Sequence, residues 1–368
     1  MKIFLLANPN SVHTKKWVTS LCEKGLEIVL FSLHSIENNY YAGLPNFKSY
    51  SLDYNNDLNR KDSKFKKLSY LTAVLKIKKA IAIEKPDIVH SHYASSYGLL
   101  GALSKFHPFI ISVWGSDIYE FPHSSFIAKK IIKYNLSKAD QILSTSHAMA
   151  IETKKYTNKE IEETPFGVDL TRFMKTTPPR IFGENDIVIG TIKSLEKVYG
   201  IEYLIEAFND VVINNPEKSL RLLIVGNGSC ESELKSRVKE LQIEDKVLFA
   251  GFVNHSEIVS YYNNIDIFVV PSIRESFGVS VIEASACELP VIVSNTGGLP
   301  EVVENNSTGF IVPPQNSKAI AEAIEILLND KMLISEMGKA GRKMVETKYN
   351  WPICVERMID IYNKALKK

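Results

Sequence analysis

The chain has 368 residues, long for one core and comfortable for two. Its 45% hydrophobic and 23% charged content is that of an ordinary soluble globular protein, and its four cysteines, Cys22, Cys230, Cys287 and Cys354, form no C-x-x-C pair, which speaks against a zinc site or a disulfide framework and fits a reducing cytoplasm. Net charge is only +2, yet residues 1–170 hold 22 Lys and Arg against 16 Asp and Glu, while the remainder holds 22 against 26.

From the N-terminus, the apolar run of Lys2–Ala7 is too short for a signal segment and ends at Asn8-Pro9. Further apolar runs at Glu27–Ser32, Asp87–His90, Phe109–Val113 and Gln141–Thr145 have the Ile, Val and Leu density of strands covered on both faces. Between them, Arg60 to Lys79 interleaves eight basic residues with Phe65, Leu68, Leu71, Leu75 and Ile77. Such a helix suits an anionic membrane surface, and equally an ordinary amphipathic helix with a solvated lysine face. No base-stacking aromatic pattern accompanies the charge, so nucleic acid is not an expected partner. No run is long enough to cross a bilayer. A cytoplasmic protein is expected, at most peripheral at the inner face of the membrane.

Pro178-Pro179 and Gly183 then interrupt regular structure, and residues 173–185 read as a linker between a first domain, 1–172, and a second, 186–349. The second domain repeats the pattern, with strands at Ile187–Thr191, Leu220–Val225, Val247–Ala250, Ile265–Val270 and Val291–Ser294. Helices are expected at Thr14–Lys24, Gly200–Asn214, Cys230–Gln242 and Lys318–Leu328, with a last amphipathic one at Trp351–Leu366. This alternation argues for an α/β fold of two Rossmann-like domains, each with a parallel sheet, facing a central cleft.

The stretch Pro271–Ala286, PSIRESFGVSVIEASA, follows a strand and opens a helix. A helix starting near Phe277 would leave the N–H groups of Phe277, Gly278 and Val279 for a diphosphate. Glu275 would stand before its mouth and Glu283 roughly 9 Å along its axis. A nucleotide sugar offers a hexose and a ribose on either side of two phosphates, and two carboxylates so spaced suit it.

Together with PFGVDLTRF at 165–173, GTIKSLEKVYG at 190–200, LIVGNG at 223–228, and VIVSNTGG followed by LPE and GFIVP, this stretch resembles the retaining, nucleotide-sugar-dependent glycosyltransferases of family 4, which have the GT-B fold. The resemblance implies that Glu275 contacts the transferred sugar and Glu283 the ribose. It implies that Phe277, Gly278 and Val279, with the Ser280 hydroxyl, hold the distal phosphate, and that Lys193 faces the diphosphate. Gly226 and Gly228 would let backbone approach beneath the nucleotide, and Phe252 and Val253 would meet the base. The helix at 350–368 would pack back towards the first domain.

Departures from the family pattern matter as well. Tyr199 stands where a lysine usually precedes Gly200, so Lys197 is a candidate for that second basic contact. Trp114 stands where a histidine is common, which leaves Asp117 or another cleft residue to fill the polar role. His13 and His92 are further candidate cleft or acceptor contacts, and His90 lies beside His92. No D-x-D motif is present, so no metal and no cofactor are expected, and Lys193, Lys197 and the helix N-terminus would carry the leaving-group charge. The expected reaction moves a sugar from a nucleoside diphosphate donor, a UDP-sugar in preference to a GDP-sugar, to a glycan or lipid-linked acceptor. A nucleotide-sugar epimerase or hydrolase on the same scaffold is the alternative, and a non-catalytic sugar-nucleotide binding protein a remoter one. A nicotinamide-dependent oxidoreductase is disfavoured because Gly226-Asn227-Gly228-Ser229-Cys230-Glu231 lacks the third glycine of its fingerprint.

Overall fold

The computed structural model describes residues 1–52 and 63–367, with side chains described outside 63–71. The chain divides into two compact units, one of Met1–Thr164 with Val355–Lys368 and one of Pro165–Cys354. Each is built on one all-parallel sheet wrapped by helices.

The first unit holds β1 (Lys2–Leu6), β2 (Glu27–Ser32), β3 (Phe47–Ser51), β4 (Ile88–His92), β5 (Phe109–Val113), β6 (Gln141–Ser144) and β7 (Ile161–Glu163), in the spatial order β3-β2-β1-β4-β5-β6-β7. The second holds β8 (Ile187–Ile192), β9 (Leu220–Val225), β10 (Val247–Gly251), β11 (Ile267–Val270), β12 (Val291–Ser294) and β13 (Gly309–Val312), in the order β10-β9-β8-β11-β12-β13. Strand order reverses between β1 and β4 in one sheet and between β8 and β11 in the other. The carboxyl ends of such a pair form the crevice where ligands of open α/β sheets bind.

Central strands appear where continuous apolar runs predict them, because burial on both faces demands such runs. The strands β3, β7 and β13 were not among those predicted, and β13 is a four-residue edge strand of the second sheet, half-buried at its centre. β3, FKSYS, is an edge strand whose residues are exposed or half-buried, and β7 has three residues at the opposite edge, so neither carries the two-faced apolar pattern. β4 runs on through His92, two residues past the predicted run Asp87–His90, so His92 is a strand residue as His90 is.

Two long helices complete the layers. In Ser63–Glu84, Ala73, Ile77 and Ala80 join the core of the first unit. Lys76, Lys78 and Lys79 on the same helix are exposed. Arg60 and Lys61, and the side chains of Lys64, Lys66 and Lys67, lie outside what is described. Helix Trp351–Leu366 begins against the second unit, where Trp351 N–H donates to Val168 O at 3.0 Å. From Val355 it belongs to the first unit, where Tyr362 is 1% exposed and its hydroxyl lies 2.8 Å from His90 Nδ1. Among the described residues no helix is long and apolar enough to cross a membrane.

Candidate functional site

At the reversal point of the second sheet, β8 delivers Lys193 and β11 leads through Pro271 and Ser272 to Glu275. The Lys193 ammonium lies 2.5 Å from Glu275 Oε2, and the two side chains are only 14% and 10% exposed. Ser272 Oγ donates to the same carboxylate oxygen at 3.5 Å, and the Tyr199 ring centroid stands 4.5 Å from the ammonium. Tyr199 therefore covers Lys193 with an aromatic face in place of a second cation. Lys197 is exposed and takes different surroundings, sharing a hollow with Glu202, Glu206 and Arg237.

Glycines hold these loops in place. Gly226 has φ +133°, and a Cβ there would lie 2.0 Å from the Lys193 carbonyl oxygen; at Gly228 it would lie 2.4 Å from that of Leu195. What they admit in this structure is the backbone of the Lys193–Leu195 loop. Leu195 and Cys230 N–H groups stitch the two loops together, each with a 2.9 Å bond to the facing carbonyl. Gly297 does the same for Glu275. Its φ is +51°, a Cβ would sit 1.7 Å from the Glu275 carbonyl oxygen, and the next N–H, of Gly298, donates to that oxygen at 3.2 Å.

The helix after Glu275 runs Val279–Ala286, two residues later than the sequence suggests, because Gly278 caps it at φ +108°. Phe277 is 2% exposed and packs edge-on against Phe166 and Tyr349, so its side chain belongs to the core. The first-turn N–H groups are those of Val279, Ser280 and Val281, and Val281 N–H is already 3.0 Å from Gly278 O. Ser280 is 8% exposed, and its hydroxyl has no hydrogen-bond partner among the described residues. The same holds for Thr191 near the end of β8 and Ser294 at the end of β12. Buried hydroxyls are normally satisfied, and Ser280 stands in the first turn of this helix.

Starting at Val279 also brings Glu283 nearer the mouth, one turn and about 6 Å in. Its Oε2 accepts a 2.8 Å hydrogen bond from the Tyr262 hydroxyl, and Tyr262 is fully buried. Burial, with Glu283 beside it, raises the phenol pKa well above its ordinary value, so it donates at any working pH. At the far end of the helix, Arg342 donates to Ala286 O at 2.9 Å and to Phe173 O at 2.8 Å, a cation where the helix dipole favours one. Phe252, just after β10, exposes 71% of its surface, with Val253 half-buried next to it. Tyr262, Ser272, Gly297 and Arg342 escaped the sequence reading. Gly297 left a trace there in the motif VIVSNTGG and Ser272 in PSIRESFGVSVIEASA, without a role for either.

The other candidates lie at the reversal point of the first sheet. Trp114, 7% exposed, gathers His92, Tyr93 and His13 around it at centroid distances of 4.2, 5.2 and 5.7 Å. His92 Nδ1 lies 3.4 Å from Thr14 Oγ1. Both nitrogens of His90 are engaged at 2.8 Å, with the Tyr362 and Ser112 hydroxyls. Burial lowers its pKa to about 3 and takes that of His92 well below the usual histidine range, so both rings are neutral. Asp117 is 1% exposed, and its carboxylate accepts the N–H groups of Ala94 at 2.8 Å, Gly115 at 2.9 Å and Trp114 at 3.2 Å. This geometry makes Asp117 the staple of the loop after β5 and leaves it little capacity for a ligand. Among the described residues no group of three or more His, Cys, Asp or Glu side chains could hold a metal ion.

A family model described as glycosyl transferases group 1 matches residues 176–344, and one described as glycosyl transferase 4-like matches residues 2–146. The capsular polysaccharide biosynthesis glycosyltransferase CapM of Staphylococcus aureus is 34% identical over 250 residues, 67% of this chain and 61% of CapM, so the match spans less than two thirds of that relative. Sucrose-phosphate synthase from Thermosynechococcus elongatus aligns over 99% of this chain and 98% of its own, with a TM-score of 0.84 at 22% identity. Anabaena HepE, in complex with UDP, aligns over 99% of both chains with a TM-score of 0.81 at 17% identity. These structural likenesses speak to the fold, which is GT-B.

Proposed function

This chain belongs to the group 1 glycosyl transferases, and from that premise we propose that it moves a sugar from a nucleoside diphosphate donor to an acceptor hydroxyl with retention of anomeric configuration. The observation that carries the reading is the Lys193–Glu275 pair beside a helix mouth with the unsatisfied Ser280 hydroxyl. Breaking the anomeric C–O bond leaves negative charge on the distal phosphate. A nearly buried ammonium and first-turn N–H groups stabilise that charge. Lys193 turns from Glu275 towards the phosphate, and Glu275 is then free to accept hydrogen bonds from sugar hydroxyls. Glu283, oriented by Tyr262, takes the ribose hydroxyls. Phe252 covers the base. The leaving phosphate receives the acceptor proton on the face it departs from, which retains configuration and requires neither a covalent glutamate nor a metal.

UDP is the favoured nucleotide, a reading that fits the UDP held by HepE on the same fold. The acceptor is a glycan or a lipid-linked glycan, in line with CapM and its part in capsular polysaccharide synthesis. The basic first unit suits an anionic acceptor, and the segment 60–79 an anionic membrane surface. A thermal-shift panel of nucleotide sugars tests the donor, since a ligand at 100 times its dissociation constant adds about 2.7 kcal/mol of stability. The productive donor should then release nucleoside diphosphate only when an acceptor is present. Equal release of free sugar without acceptor would establish the hydrolase instead.

A further inference from the structure

Helix Phe126–Lys138 of the first unit carries an outer face that the core does not use. Ala128, Ile132, Asn135 and Leu136 are buried, the spacing of one inward stripe. Outward stand Phe126 and Ile127, 71% and 69% exposed, and Tyr134 at 38%. Lys129, Lys130, Lys133 and Lys138 are interleaved with them, all exposed. The Lys130 and Lys138 ammonium groups lie 4.5 and 5.6 Å from the ring centroids of Phe126 and Tyr134.

The charge extends beyond this helix. Lys133 and Ser137 border a shallow hollow whose other wall supplies Lys154, Lys155 and Lys159. Helix Ser63–Glu84, with Lys76, Lys78 and Lys79 outward, packs on helix Ser96–Ser104, which in turn packs on Phe126–Lys138. Ala73, Ile77, Ile132 and Leu136 share one core beneath. One helical layer therefore presents lysines across its width, and at one place in it two large apolar side chains stand side by side in water.

We propose that this face docks on an anionic lipid surface, with Phe126 and Ile127 entering the boundary between headgroups and acyl chains. Lysines with long apolar stems can lie along such a boundary and keep their ammonium groups among lipid phosphates. Two apolar side chains are too small an anchor alone, and the surrounding cations supply the second signal that stable attachment needs. Charge complementarity selects anionic over neutral lipid. The surface is distinct from the donor residues, all of which lie in the second unit, and the proposal stands whether or not the donor reading does.

The 368-residue chain would be mixed with vesicles of phosphatidylcholine alone or of phosphatidylcholine with phosphatidylglycerol, without nucleotide. Phe126→Trp places a reporter on the surface, and Trp17, Trp114 and Trp351 are each under 10% exposed, so their emission gives a steady background. Its emission should shift to the blue with anionic vesicles at low salt, and not with neutral ones. The shift should fade as salt shortens the Debye length to about 8 Å. Neutralising Lys129, Lys130 and Lys133 together to Gln should weaken co-sedimentation roughly a hundredfold, at about fivefold per lysine. Phe126→Ser with Ile127→Ser should weaken it while thermal unfolding stays near wild type, which separates docking from folding. Co-sedimentation without a blue shift would overturn the proposal, because another surface, 60–79 included, would then be the one in contact. Failure of the wild-type chain to co-sediment at low salt would overturn it too, as would a triple Gln variant that sediments like wild type.

Discussion

Gly297→Ala is the substitution whose consequence follows most directly from the geometry. The new Cβ would start 1.7 Å from the Glu275 carbonyl oxygen, about 2 Å short of ordinary van der Waals contact. Backbone on one side or the other must move by that amount, and Glu275 carries the carboxylate paired with Lys193. A misplacement on the order of 1 Å at a reacting centre costs about 10²-fold in rate. Left-handed backbone adds about 1–2 kcal/mol of strain for a residue with a Cβ. Gly25→Ala separates these two terms. Gly25 also has a left-handed φ, +83°, but nothing lies within 4 Å of its Cβ position. Gly25→Ala should therefore lower Tm by a few degrees and leave donor turnover intact. Gly297→Ala should lower turnover about a hundredfold in assays of nucleoside diphosphate release, while calorimetry shows diphosphate affinity within a few-fold of wild type, because Glu283 stands on a different element. Wild-type turnover in Gly297→Ala would refute the claim that this glycine positions Glu275.

Glu283→Ala should weaken nucleoside diphosphate binding roughly ten- to hundredfold, from the loss of a charged hydrogen bond of about 1.5–3 kcal/mol. Tyr262→Phe should move affinity the same way by less, and unchanged calorimetric affinity in both would remove Glu283 from the ribose. Glu275→Gln should cut turnover by about 10² with diphosphate affinity nearly unchanged, and equal losses in both would contradict its placement at the sugar. Activity should survive EDTA, whereas Lys193→Ala should be severely impaired; turnover abolished by chelation and restored by magnesium or manganese would remove the lysine from its assigned role. His90 has a folded pKa of about 3 against 6.5 for the free side chain, so the unfolded chain binds its proton first as pH falls. Stability from this group is complete above pH 6.5 and lost progressively from there towards pH 3. Urea unfolding at pH 5 and 7 should show the loss in wild type and a smaller one in His90→Gln.

The sequence alone carried the class of fold, the central strands and the paired glutamates. A strand buried on both faces must be written in consecutive apolar residues, and a strand-to-helix turn that ends in glycine leaves its own mark. It could not show β3, β7 or β13, edge strands that bury too little to need that pattern. Nor could it place the start of helix Val279–Ala286, which depends on one backbone angle at Gly278. The partners of the site came only with the tertiary structure. Tyr262 reaches Glu283 from 21 residues away, and Lys193 meets Glu275 across 82. Asp117 reads in the sequence as a candidate for the polar role left open by Trp114, and becomes a loop staple once three backbone N–H groups converge on it. Periodicity along a chain reports burial, because burial constrains every second or every third to fourth residue. Which two distant side chains share a proton or a charge is decided by strand order, and adjacent residues carry no record of it.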